Sequence, residues 1–149
     1  MARLANKAKT VAQQAFLLGQ LPITSHSSAR AGRLRWEGRI QPTSHSEVYL
    51  VRIDYAPPES PDITIVSPKL EAPEGKTLPH VYPGERLCLC YPRQWRPEMR
   101  IDQTIVPWTA EWLFHYELWR FTGRWHGGGH TIATNLTKST ASDNVRHAA

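Results

Sequence analysis

The sequence is poor in features that would crosslink the chain, embed it in a membrane or direct its export. Its 149 residues include only two cysteines, Cys88 and Cys90, which are too close together to join distant segments through a disulfide. No apolar run reaches the length of about 18 residues that a transmembrane helix requires. The N-terminal stretch also lacks the unbroken apolar region of a secretory signal. We therefore expect a cytoplasmic protein with no membrane partner.

Lysine is scarce as well, with 5 residues against 13 arginines, although the net charge is +5. A lysine amine near acyl chemistry would compete as a nucleophile, whereas the guanidinium fork suits carboxylates and phosphates. The basic charge by itself allows either an acidic protein or a nucleic acid as partner. A nucleic-acid surface would group arginines and aromatic side chains on one face. Because the aromatic residues here follow the spacing of a helix core, we expect no nucleic-acid partner.

Length and composition predict a single domain of the α+β class. The chain is 40% hydrophobic and long enough for one core. We place the domain in residues 1–135 and a flexible tail in residues 136–149. Apolar residues at helical spacing predict a helix over residues 2–20, followed by a serine-rich loop at residues 23–32. Alternating or β-branched residues predict an antiparallel meander of three strands, at residues 33–40, 47–55 and 62–70.

The second half of the chain concentrates proline and tryptophan. Prolines and glycines interrupt residues 71–97, and a long irregular stretch inside a compact domain is usually functional. Five of the six tryptophans lie between Trp95 and Trp125. A second helix is predicted at residues 108–122, with Gly123 as its C-cap. Its aromatic residues fall on two faces, so we expect both faces to be buried or one to be kept for a partner.

Three interpretations of the cysteine pair remain open on the residues alone. Both cysteines can be buried as small hydrophobic side chains. They can also bind zinc together with His126 and His130, although the Cys-x-Cys spacing and the intervening glycines disfavour a rigid site. The third interpretation is a catalytic thiolate at Cys88, paired with His80 eight residues earlier. Positive charge increases the thiolate fraction of a cysteine. Four arginines lie close to Cys88 in sequence: Arg86, Arg93, Arg96 and Arg100.

The run LPHVYPGERLCLCYPRQWRP at residues 78–97 resembles the active-site stretch of ubiquitin-conjugating enzymes. That stretch reads His-Pro-Asn, then an aliphatic residue, the catalytic Cys and Leu, and further on Trp-x-Pro. Here Pro79-His80 stands in the place of Pro-Asn, at the same interval from the cysteine, and Leu87-Cys88-Leu89 matches the cysteine core. Trp95-Arg96-Pro97 matches Trp-x-Pro one residue early. The order of elements agrees as well, so the resemblance covers about residues 2–122.

A closer resemblance is to the ubiquitin-conjugating-like proteins of CBASS, the cyclic-oligonucleotide anti-phage operons of prokaryotes. The stretch PWTAEWLFHYELWRFTGRWHGGGH at residues 107–130 is similar to their Trp-rich helix and Gly-rich end. The resemblance implies a shortened ubiquitin-conjugating fold and a transferase in antiviral defence. It implies that Cys88 carries a protein's C-terminal glycine as a thioester, often that of the operon's nucleotide cyclase, for transfer to a target amine. The chain departs from the eukaryotic form in having His80 for Asn and too little sequence after Gly123 for two closing helices.

The chemistry of thioester transfer suits these residues. A thiolate is both a good nucleophile and a good leaving group, so Cys88 can serve both half-reactions. Attack on the thioester builds an oxyanion, to which His80 can donate a hydrogen bond as an Asn amide would. Because Pro79 and Pro83 set the local backbone, we expect His80 to serve transfer and to make no contact that matters for folding.

The remaining expectations concern the substrates. A groove for an extended, glycine-ended tail is expected near three residues: Leu89, Tyr91 and Trp95. The base that takes the proton of the incoming lysine stays open among three carboxylates: Glu98, Asp102 and Glu111. We expect no metal and no cofactor; since no Gly-rich nucleotide-binding motif is present, adenylation occurs on a separate activating enzyme or is unnecessary. Two other functions stay open: a non-catalytic docking module of the same fold, and conjugation of a bacterial ubiquitin-like modifier outside CBASS.

Overall fold

The computed structural model describes residues 7–89 and 94–127 of the chain. In chain order its elements are helix α1 (Val11–Gly19), strands β1 (Ser25–Arg30), β2 (Arg33–Ile40), β3 (Tyr49–Tyr55) and β4 (Asp62–Ser67), short strands β5 (Val81–Tyr82) and β6 (Arg86–Leu87), a 3-10 turn (Ile101–Gln103) and helix α2 (Ile105–Thr122). Strands β1 to β4 form an antiparallel sheet in chain order, and β5 pairs with β6 in a separate hairpin. The predicted α+β architecture is confirmed. The predicted domain boundary at residue 135 lies outside the described residues.

The core lies between one face of the sheet and helix α2. Side chains of β2 and β3 alternate between buried and less buried positions along both strands, as expected for a sheet with one covered face. Tyr49 of β3 meets Tyr116 of α2 edge to face, with 6.5 Å between ring centroids. Glu117 of α2 accepts a hydrogen bond from the Tyr49 hydroxyl at 2.8 Å. The helix is thereby fixed to the sheet by both packing and a charged hydrogen bond.

Helix α2 buries only one of its two aromatic faces. Trp112, Tyr116 and Trp119 belong to the core, whereas Phe114 is 37% exposed and Phe121 91% exposed. The helix begins at Ile105, three residues before its predicted start, and ends where Gly123 takes a left-handed φ of 76°, as predicted. In the described part of the chain, no helix has both the length and the apolar character needed to cross a membrane.

Helix α1 is shorter than predicted because its N-cap fixes its start. The Thr10 hydroxyl accepts from the Gln13 N–H at 3.1 Å, and the Gln13 side chain accepts from the Thr10 N–H at 2.8 Å, which forms a capping box. The prediction of helix over residues 7–10 is therefore wrong. The buried side chain of Gln14 donates to the Met99 carbonyl at 2.8 Å and accepts from the Ile101 N–H at 3.0 Å. Helix α1 thus holds the segment that leads from the cysteine stretch to α2.

The predicted loop at residues 23–32 is wrong, because Ser25–Arg30 forms strand β1. Five of its six residues are exposed, so the strand has no apolar alternation that would reveal it. Its place is set by the hydrogen bonds to β2 and by the two-residue turn at Ala31 and Gly32, whose φ values are 53° and 70°. Two successive positive φ values are the signature of the hairpin turn that matches strand twist. The sheet has four strands instead of the predicted three.

Candidate active site

The β5–β6 hairpin ends at the predicted catalytic pair. Its register opposes Val81 and Leu87, and the next pair outward is His80 and Cys88. The backbone N–H of Cys88 donates to the His80 carbonyl at 3.0 Å. Residues that are hydrogen-bonded directly across an antiparallel ladder typically have Cα atoms about 5.5 Å apart. The hairpin therefore brings together two residues that the chain separates by a seven-residue connection.

Cys88 presents a free thiol at the edge of the core. Cys88 is 8% exposed, and its neighbours Leu87 and Leu89 are 4% and 5% exposed. The two leucines anchor the segment by burying apolar area. Cys90 and Tyr91 lie outside the described residues.

His80 occupies an unusual backbone conformation. Its φ of 52° lies in the left-handed region, where His and Asn are enriched among residues other than glycine. Its imidazole packs against the indole of Trp125, with 5.2 Å between ring centroids and 45° between ring planes. The sequence did not predict this contact, and whether it contributes to folding stays a matter for the stability of His80 variants. The contact was invisible to local reasoning because Trp125 lies 45 residues further along the chain.

Trp125 belongs to an aromatic cluster on the C-terminal half of α2. Its ring centroid lies 5.3 Å from that of Trp112, 6.1 Å from that of His115 and 6.5 Å from that of Trp119. Burial lowers the pKa of His115, and the nearby His126 lowers it further. His115 Nδ1 is buried without a hydrogen-bond partner among the described residues. His115 is therefore held as a neutral ring beside the tryptophan that contacts His80.

A groove of about 300 Å³ lies beside the cysteine segment. The predicted substrate residues Leu89 and Trp95 line it, together with Ile63, Tyr82 and Arg86. Cys88 is not among its lining residues. Leu89 and Trp95 are both at most 5% exposed, so little of either residue is accessible to a bound tail. Their role in substrate binding stays a prediction.

The arginines near Cys88 are partly engaged elsewhere. Arg86 Nη1 donates to the carboxylate of Asp62 at 3.1 Å. Arg100 binds Asp102 through two hydrogen bonds of 3.0 and 2.7 Å. These pairings reduce the net positive charge that the sequence predicted around the cysteine. Asp102, 7% exposed and held by Arg100, is also the least suited of the three carboxylates to act as a base.

The other two carboxylates differ in their surroundings. Glu98 has one carboxylate oxygen buried without a partner among the described residues; burial raises the pKa of Tyr55, and the charge of Glu98 raises it further. Burial raises the pKa of Glu111, and its Oε1 lies 3.9 Å from His115 Nε2. His115 in turn contacts Trp125, and Trp125 contacts His80. Of the three carboxylates, Glu111 is therefore the one linked to His80 by a series of side-chain contacts.

A metal site finds no support in the described part of the chain, which contains no group of three or more His, Cys, Asp or Glu side chains that could hold an ion. Cys90 and His130, two of the four ligands in the zinc interpretation, lie outside that part. Sequence reasoning missed the contacts that Trp125 and His115 make around His80. The usable signal was the isolated Trp-His pair just after the helix cap, before the glycine run, where no helical or strand periodicity explains an indole.

Comparison with protein families matches residues 13–132 to the family described as Type II CBASS E2 protein. No match was found among curated proteins. The family match spans both the hairpin that pairs Cys88 with His80 and the aromatic cluster of α2. It extends over most of the 149 residues, and the chain therefore belongs to the E2 proteins of type II CBASS, which are associated with antiphage defence and E2-like conjugation.

Proposed function

We propose that this protein carries a protein's C-terminal glycine as a thioester on Cys88 and transfers it to a lysine amine of a target protein. The carried protein is the nucleotide cyclase of the CBASS operon. The observation that supports this mechanism best is the hydrogen-bonded pairing of Cys88 with His80 across the end of the hairpin. The pairing puts a nucleophile and a hydrogen-bond donor on adjacent backbone positions, as acyl transfer through an oxyanion requires.

Loading is an acyl exchange onto sulfur. The Cys88 thiolate attacks the carbonyl carbon of the terminal glycine, which arrives activated on a separate enzyme as a thioester or acyl adenylate. The new carbon–sulfur bond forms, and the activating group leaves with the electron pair of its own bond to carbon. The free thiol of Cys88 suits this step, and the two buried leucines beside it make its surroundings apolar.

Discharge passes through a tetrahedral intermediate. The lysine nitrogen attacks the thioester carbonyl, whose oxygen takes negative charge and accepts a hydrogen bond from the His80 imidazole. The carbon–sulfur bond then breaks, the thiolate of Cys88 leaves, and the nitrogen loses its surplus proton to a base. Glu111 is the described carboxylate that packing connects to this side of the site, but water can also accept the proton.

The test is an adduct assay with purified components. The chain is mixed with the cyclase, the activating protein of the same operon and ATP, and the products are separated without reductant. We expect a reductant-sensitive adduct that Cys88→Ala abolishes and Cys90→Ala retains. A docking module would bind the cyclase equally well with either substitution and would form no adduct, which would overturn the proposal. An adduct only with a ubiquitin-like protein would replace the cyclase as the cargo.

A further inference from the structure

Trp125 contacts both helix α2 and the imidazole of His80. Its indole packs against three rings of the helix, at the distances given above, and against His80 at 5.2 Å. Trp112 and Trp119 are 4% and 5% exposed, so their rings are fixed by the core. The indole that contacts His80 is therefore packed against buried rings of the core.

The short segment that carries Trp125 is itself fixed at its base. Gly123 donates its N–H to the Trp119 carbonyl at 2.8 Å, and its own carbonyl accepts from Lys76 Nζ at 3.2 Å. The Thr122 hydroxyl accepts from the Arg124 N–H at 3.2 Å. These bonds set the direction in which the chain leaves the helix. Trp125 is thereby directed back over α2 by local hydrogen bonds as well as by packing.

The backbone of His80 is fixed, but its side chain needs a second constraint. The hydrogen bond from Cys88 holds the carbonyl of His80 and does not act on the side-chain torsions of the imidazole. A donor that is misplaced by about 1 Å can lose on the order of 100-fold in rate. Packing against the indole restricts the side-chain rotamers that the imidazole can adopt.

We infer that Trp125 is a positioning residue that orients the His80 imidazole for thioester discharge, so that the segment after α2 forms one wall of the active site. This inference rests on the proposed function, since it needs a discharge step to act on. It assigns no contact between Trp125 and the substrate. Loading of Cys88 can be followed to its end point, so that a slower approach to that end point does not change the amount of charged protein available for discharge.

The experiment compares single-turnover discharge of charged protein to lysine for the wild type and five variants, among them His80→Gly and its double variant with Trp125→Ala. We expect Trp125→Ala to slow discharge about 10-fold, less than complete loss of an oxyanion donor would, while the extent of loading stays unchanged. Trp125→Phe, which keeps a flat apolar wall, should retain most of the rate. Trp108→Ala, the same substitution near the other end of α2, should have no comparable effect. In a His80→Gly background, Trp125→Ala should cause no further loss.

Two results would overturn the inference: discharge by Trp125→Ala within twofold of the wild-type rate, or an equal loss in the His80→Gly background. Failure of the proposed function is a different result, in which wild-type protein forms no adduct at all. The inference is then judged on uncharged protein by NMR of the His80 ring protons. Trp125→Ala should shift these resonances by loss of the indole ring current and Trp108→Ala should not; unshifted resonances contradict the positioning role.

Discussion

Replacing His80 separates two possible roles of its imidazole, and the backbone geometry decides which replacements are informative. At a φ of 52°, an alanine costs roughly 1–2 kcal/mol relative to a residue that tolerates the left-handed region. His80→Gly removes the ring without that strain. His80→Asn keeps a side-chain donor, and Asn is one of the few residues at ease with this φ.

The magnitude follows from the oxyanion role. Loss of one preorganised donor typically slows acyl transfer by about 100- to 1,000-fold. We expect His80→Gly to slow discharge to an amine by that factor, and His80→Asn to restore much of the rate because its amide can donate at the same place. His80→Ala should match His80→Gly in rate. It should unfold at a lower temperature than the wild type, since it adds backbone strain and loses the packing against Trp125.

The assay is single-turnover discharge of charged protein, followed across pH for all four proteins. If the imidazole instead acts as a base, Asn cannot replace it, and the wild-type rate falls as pH drops through about 6.5, the ordinary pKa of a histidine. A failed rescue by Asn, together with a wild-type pH dependence that His80→Gly abolishes, would refute the oxyanion role. Thermal unfolding of each variant shows whether a slow rate reflects a damaged fold.

Three further predictions concern stability, each measured by thermal or urea unfolding. Burial and His126 lower the pKa of His115 in the folded state, so the unfolded chain binds a proton at this imidazole more readily. The free energy of unfolding should therefore fall as pH drops through about 6.5, and His115→Gln should make that fall smaller. Gln14→Ala should cost about 2 kcal/mol, since two backbone groups lose their buried partner; an unchanged midpoint would contradict that role. Gly38→Ala should destabilise by about 1–3 kcal/mol because its Cβ would collide with the Trp36 ring, whereas Gly19→Ala enters open space and should not.

The elements that the sequence predicted are those in which buried apolar residues recur at a regular spacing. Strand β2 shows it most clearly, since Leu34, Trp36 and Ile40 alternate with charged residues and are all at most 4% exposed. Helix α2 was found by the same logic, and its end by the need for glycine at a positive φ. Strand β1 was missed because an exposed edge strand buries almost nothing, so hydrogen bonds to β2 define it and composition does not.

The candidate site was predictable only where its residues are neighbours along the chain. The association of His80 with Cys88 was predicted from the interval that the resemblance to ubiquitin-conjugating enzymes supplied. The structure brings the two residues together through a short hairpin with a turn at Gly84, which was predicted as an irregular stretch. The contact of His80 with Trp125 was not predictable, since it depends on how α2 packs on the sheet. The pairing of Arg100 with Asp102 was likewise missed when charge was counted without partners.

The central claim is that the acyl group is bonded to the sulfur of Cys88. The most direct test is intact-mass analysis of Cys88→Ser after reaction with the cyclase, the activating protein and ATP, with and without reductant. We predict an adduct in which the acyl group adds the same mass but forms an ester with the serine oxygen, resistant to reductant and cleaved by hydroxylamine. A reductant-sensitive adduct that persists in Cys88→Ser would place the acyl group on another thiol and contradict the account.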